Sequence, residues 1–130
     1  MNAPRNGWLL SRDLLFTSKV TGTAGLLGAT MAVIGSQNGA RQRAETGAPG
    51  LILVDLAGGD LADPAFLGEL IGLVPGAHVV AFGSHVDTAA LKRAAEAGCH
   101  EVMPRSKFVN VLPELIRSYL VEGDPGATPS

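Results

Sequence analysis

The chain has 130 residues, with 10 Lys and Arg against 12 Asp and Glu, a formal charge of −2 and a pI near 5.8. That length fits one domain able to bury a core, and that balance gives no electrostatic pull toward nucleic acid or an anionic membrane. The single cysteine, Cys99, excludes an internal disulfide framework and fits a reducing cytoplasm. The three histidines, His78, His85 and His100, are too scattered to form a metal constellation.

The first residues, Met1 to Asn6, lack the apolar core of a signal peptide. Residues 7–122 are expected to form the domain, with 1–6 and 123–130 as flexible termini. Trp8-Leu9-Leu10-Ser11 reads as a first strand ending at Arg12-Asp13. Leu14, Leu15, Ser18, Gly22, Gly25 and Leu26 then recur at three- and four-residue steps, which predicts a helix laying that stripe on a sheet. No charge occurs from Val20 to Ala40, but five glycines and several polar residues there argue for a helix, a turn and a strand, not a membrane span. Thr30 to Ile34 is the second strand, and a short polar helix within Gln37 to Thr46 closes at Gly47 and Pro49.

Leu51-Ile52-Leu53-Val54 is a short, continuous apolar run entering Asp55 and then a glycine-rich turn, the pattern of a strand buried on both faces. Asp63-Pro64 starts the next helix as cap and first residue. His78 to Phe82 is a fourth strand. Asp87 or Thr88 caps a helix that runs through Ala97 and stops at Gly98, and His100 to Met103 is a fifth strand. Asn110 is the expected cap of a last helix with Pro113 in its first turn. Strand and helix thus alternate five times, which predicts a doubly wound parallel sheet in a three-layer α/β/α arrangement.

Two stretches resemble known families. Thr21-Gly22-Thr23-Ala24-Gly25-Leu26-Leu27-Gly28 matches the TGxxGxxG turn of extended short-chain dehydrogenases, which would make Gly22, Gly25 and Gly28 an NAD(P) pyrophosphate cradle. The only tyrosine, Tyr119, lacks the following lysine of that family's catalytic pair, and the better reading of the glycines is close packing of a helix on a sheet. The broader resemblance, from Trp8 to Tyr119, is to the receiver domain of two-component response regulators, a flavodoxin-like (βα)5 fold. It rests on Val79-Val80-Ala81-Phe82-Gly83-Ser84, Ala94-Ala95-Glu96-Ala97-Gly98-Cys99 and Val102-Met103-Pro104-Arg105-Ser106, in that order.

The resemblance implies that Asp55 stands where receivers carry the phosphoacceptor. The acidic pair that would hold Mg²⁺ falls at Arg12 and Asp13, so only Asp13 and Asp55 remain as ligands if Mg²⁺ binds. The switch hydroxyl falls at Gly83, with Ser84 beside it, the aromatic switch position at Val102, and the lysine at Arg105. Phosphoryl transfer to a carboxylate needs a metal or an equivalent charge on the equatorial oxygens, and one acid beside an arginine makes a poor Mg²⁺ site. The expectation is a non-enzymatic pseudo-receiver without a cofactor, in which Arg12 replaces the metal and pairs with Asp55, Asp13 or both.

Such a module would be cytoplasmic and would signal by binding a protein, a histidine kinase or an output protein, with a second copy of the chain as a further partner and neither nucleic acid nor membrane. By analogy with receivers, Leu91, Ala95, Val109 and Leu112 would lie on or near the partner face. The competing expectation is a phosphorylatable regulator that uses Mg²⁺ and accepts a phosphoryl group on Asp55 from a histidine kinase.

Overall fold

A computed structural model describes residues 6–121; of the expected termini, 1–5 and 123–130 lie outside the described residues, as does Glu122 of the expected domain, while Asn6 opens the first strand. Five strands and five helices alternate as β1 (Asn6–Leu10), α1 (Leu14–Leu26), β2 (Thr30–Ile34), α2 (Gln37–Thr46), β3 (Leu51–Asp55), α3 (Pro64–Leu73), β4 (His78–Gly83), α4 (Thr88–Glu96), β5 (Glu101–Pro104) and α5 (Arg105–Ile116). A 3₁₀ turn, Gly59–Ala62, precedes α3, and a π-helical turn, Arg117–Val121, follows α5.

The strands form one parallel sheet in the order β2-β1-β3-β4-β5. Parallel strands need crossover connections, and the helices that supply them cover both faces. Phe16, Val20, Phe108, Leu112 and Ile116 from α1 and α5 pack on one face. Ala40, Phe66, Leu67, Leu70 and Ala94 from α2, α3 and α4 pack on the other. All five residues of β3 are buried, as its unbroken apolar run requires. Order reverses between β1 and β3, and in open α/β sheets the crevice at such a switch point lies beyond the carboxyl ends of the strands.

Local chemistry sets most boundaries. Asp13, Ser36, Asp63 and Asp87 cap α1 to α4, each accepting a hydrogen bond from a backbone N–H in the first turn. Helix α5 has no side-chain cap. It starts at Arg105, five residues before the expected Asn110, because burial of Phe108 anchors that first turn. Pro113 therefore falls inside α5, where it lacks the N–H of a helix interior, and the ladder relaxes into the π-helical turn beyond Ile116.

The face of α1 also differs from expectation. Its buried residues are Phe16, Thr17, Val20 and Ala24, whereas Leu14, Leu15 and Leu26 are exposed. Gly22 and Gly25 meet nothing within 4 Å of where a Cβ would stand, so they do not pack the helix onto the sheet. The aromatic ring of Phe16 against Phe82 and Phe108 holds the opposite face inward.

The rim away from the carboxyl ends is fastened separately. His78 lies between His100 and Tyr119, with ring centroids at 5.1 and 4.1 Å, and its Nε2 is 2.6 Å from Glu101 Oε2. Gly7 at the start of β1 abuts the end of the domain, since a Cβ there would stand 2.9 Å from Leu120 Cδ1. Across α2 and α3, Arg41 grips Glu69 through Nε and Nη2 at 2.7 and 2.9 Å, and that hydrogen bonding holds the Glu69 carboxyl below its usual range. No helix among the described residues is long and apolar enough to cross a membrane.

Candidate functional site

Asp55 closes β3 at the switch point and is 1% exposed. A carboxylate so deep in the fold has to recover the hydrogen bonds it loses from water. Ser11 Oγ donates to Oδ2 at 2.8 Å, the Ala57 N–H donates to Oδ1 at 2.9 Å, and Arg105 Nη2 donates to Oδ1 at 3.1 Å. Arg105 reaches in from the first residue of α5, with a third of its side chain exposed. Its guanidinium carbon lies 4.6 Å from the ring centroid of Phe16 and 5.5 Å from that of Phe82. Cation–π attraction and the ion pair therefore hold the same group.

Ser11 is the residue that sequence reading missed. Leu10 pairs with Val54, so continuing the register puts Ser11 beside Asp55. That pairing was the available signal. Ser11 Oγ also accepts from the Asp13 N–H at 3.2 Å, which fixes the hydroxyl between strand and helix.

Arg12 does not pair with Asp55 or Asp13, contrary to expectation. Its Nε donates to Gly35 O at 3.0 Å, Nη1 to Gly58 O at 3.1 Å and Nη2 to Asp60 Oδ1 at 2.6 Å. Gln37 Nε2 also donates to Asp60 O at 2.7 Å. Arg12 thus ties together the loops after β1, β2 and β3. Gly59 is shaped to this contact: its φ is +66°, and a Cβ would stand 2.8 Å from Arg12 Nη1. Asp13 turns away from the sheet to cap α1, accepting from the Phe16 N–H at 3.1 Å.

The other positions are placed as follows. Gly83 ends β4, where a Cβ would come within 3.2 Å of Leu56 Cβ, so the absent side chain makes room for Leu56. Ser84 is exposed and accepts from the Val86 N–H at 3.3 Å. A cleft of about 320 Å³ lined by Ala57, Ser84, His85, Pro104, Arg105 and Ser106 opens beside Arg105. Val102 is half-buried on β5 and packs toward α4. Of the partner-face candidates, Ala95 is exposed and Leu91 and Val109 are half-buried. Leu112 is 2% exposed and belongs to the core, because it lies one turn beyond Phe108 on the inward side of α5.

Gly22 and Gly25 sit within α1, and Gly28 follows its C-terminus with φ +82°. A pyrophosphate cradle needs its glycines in the turn before a helix, so these do not form one. Cys99 is buried, and burial pushes its thiol up to about 11, which leaves it unreactive near neutral pH.

A divalent ion such as Mg²⁺ takes about six oxygen ligands. Around Asp55 stand one carboxylate, one hydroxyl and a guanidinium, and the carboxylates of Asp13 and Asp60 are engaged elsewhere. No group of three or more His, Cys, Asp or Glu among the described residues could hold a metal ion. The donor set does not fit Mg²⁺.

No family model matches the chain, and no curated protein matches it. Solved structures do. The phosphorylated cyanobacterial phytochrome response regulator RcpA superposes with a TM-score of 0.76 at 11% identity, over 94% of this chain and 98% of that one. A response regulator from Thermotoga maritima gives 0.75 at 12% identity, over 93% and 100%. The receiver domain of the sensor histidine kinase PA1611 from Pseudomonas aeruginosa, solved with magnesium in its active-site cleft, gives 0.70 at 16% identity, over 88% and 98%. At such identities the shared property is the fold, a flavodoxin-like receiver architecture.

Proposed function

We propose that this chain is a receiver-like signalling module that acts by binding a protein partner, without Mg²⁺-dependent phosphorylation of Asp55. The observation that carries the reading is the saturation of Asp55. A receiver acceptor has to present a free carboxylate oxygen to a phosphoryl group beside a metal. Here Oδ1 takes two donors, Oδ2 takes Ser11, and the nearest cation is the protein's own Arg105. The guanidinium thus stands where charge would otherwise arrive with a metal or leave with a phosphoryl group, and the site stays in one arrangement.

The partner class is a histidine kinase or an output protein, contacted through the surface around α4 and α5, where Leu91, Ala95 and Val109 remain available. The direct test is incubation with acetyl phosphate or phosphoramidate and Mg²⁺, followed by intact mass. The expected mass is unchanged. A stoichiometric, acid-labile phosphoryl gain that disappears in Asp55→Asn would establish the phosphorylatable reading instead. Because Asp13 is engaged in capping α1 and Ser11 stands beside Asp55, a Ser11→Asp, Arg12→Asp, Arg105→Lys variant, which introduces two acids after β1 and a lysine at the start of α5, is the positive control.

A further inference from the structure

Helix α1 is apolar on both sides. Phe16, Val20 and Ala24 enter the core, while Leu14, Leu15 and Leu26 point outward at 83%, 86% and 90% exposure. Lys19 is the only charged residue in the helix. Large apolar side chains left in solvent on one helix face mark a surface for association. Leu15, Ser18, Gly22 and Gly25 recur outward at steps of three, four and three, the spacing of a helix–helix seam. The two glycines weaken the helix relative to alanine, and a Cβ at either would meet nothing within 4 Å among the described residues.

We propose that this face is the interface of a two-fold dimer, in which α1 packs antiparallel against α1 of a second copy. The face is complementary to itself. Leu15 and Leu26 stand about 16 Å apart along the axis at 1.5 Å per residue, with the notch of Ser18, Gly22 and Gly25 between them. A two-fold axis midway sets Leu15 of one helix beside Leu26 of the other and over its glycine notch, as an isologous contact requires.

Charge agrees with the same orientation. Helical side chains lean toward the N-terminus of their own helix, so Lys19 reaches the C-terminal turn of the facing helix. That turn has no basic residue of its own. The carbonyls of Thr23, Ala24 and Gly25 are capped by the amides that follow, so it is the negative end of the helix dipole that favours a cation there. Val33, 45% exposed on the edge strand β2, lies two residues beyond the buried Met31 and so shares its face, the α1 side of the sheet, widening the patch. A helix about 20 Å long still falls short of the roughly 800 Å² per partner of a standard interface. The dimer is therefore weak and reversible, with a dissociation constant in the micromolar range or above.

Sedimentation velocity on the full chain from micromolar to near-millimolar concentration tests this, and does so independently of the chemistry at Asp55. The wild type is expected to pass from one chain to two, and Leu15→Glu to remain a single chain. Gly22→Leu is the discriminating variant, because it makes the face more apolar yet fills the notch. The specific dimer loses at least tenfold in affinity, whereas unspecific hydrophobic association would tighten. Mild oxidation of mixed Leu15→Cys and Leu26→Cys proteins should give the mixed disulfide faster than either homodimer. Each variant is checked for an unchanged far-UV spectrum, as its site is exposed. A single chain at every concentration, tightening by Gly22→Leu, or preferred Leu15–Leu15 cross-linking would each overturn the proposal, the first leaving the face to a helix of another protein.

Discussion

At the scale of single residues, the interactions around Asp55 are unequal. Ser11 and the Ala57 amide are neutral donors, while Arg105 brings charge from a partly solvated position. Removing one member of a buried ion pair costs about 3–5 kcal/mol because the other charge stays buried. Arg105 is a third exposed, so screening lowers this, and Arg105→Ala is expected to cost about 2–3 kcal/mol in urea denaturation. Ser11→Ala should cost about 1 kcal/mol, the net value of one hydrogen bond. The double variant should depart from additivity, since both donors serve one carboxylate. A loss below half a kcal/mol for Arg105→Ala would mean that water replaces the guanidinium and that the pair is incidental.

At the scale of elements, glycines of the same type do opposite things. Gly22 and Gly25 lie mid-helix with open space around them, so each change to alanine should stabilise the single chain by about 0.5–1 kcal/mol. Gly59 combines φ +66° with the close Arg12 guanidinium, and Gly59→Ala should lower stability by more than 1 kcal/mol. Melting curves of the three variants at low protein concentration check both signs. The strands were legible because their apolar runs are short, continuous and bounded by turn residues, and Asp63 with Pro64 announced α3 unambiguously. The inward face of α1 was not legible, because its Leu14, Leu15 and Leu26 are as apolar as its buried Phe16 and Val20, so periodicity alone could not choose between them. The start of α5 escaped for want of a capping side chain. At the site, Asp55 followed from its place at a strand end. The target of Arg12 did not, because it depends on which of several carboxylates and loop carbonyls the folded loops bring within reach.

At the scale of the whole molecule, the two edges of the sheet differ. The outer strand β5 carries Glu101 and Pro104, a charge and a proline of the kind that blunts edge-to-edge pairing. Strand β2, Thr30–Ile34, carries neither, and it is the edge beside the exposed face of α1. Association, specific or otherwise, is thereby directed to one side of the sheet. The rim bearing Asp55 and Arg105 lies across the direction of the strands from both, so assembly on that side leaves the site accessible.

The contact of Gly7 with Leu120 has a further consequence, for how the domain can be cut and joined. The described chain begins and ends at neighbouring points on the rim opposite Asp55, because α5 runs back along the sheet to where β1 starts. A short linker from Val121 to Asn6 could close the chain into a ring, and the exposed loop between His85 and Val86 could be opened in its place. Such a permutant is expected to keep a cooperative melting transition and the wild-type far-UV spectrum. For the same reason the domain can be spliced into a loop of a host protein with little separation between the two junctions, with the Asp55 rim turned away from the host.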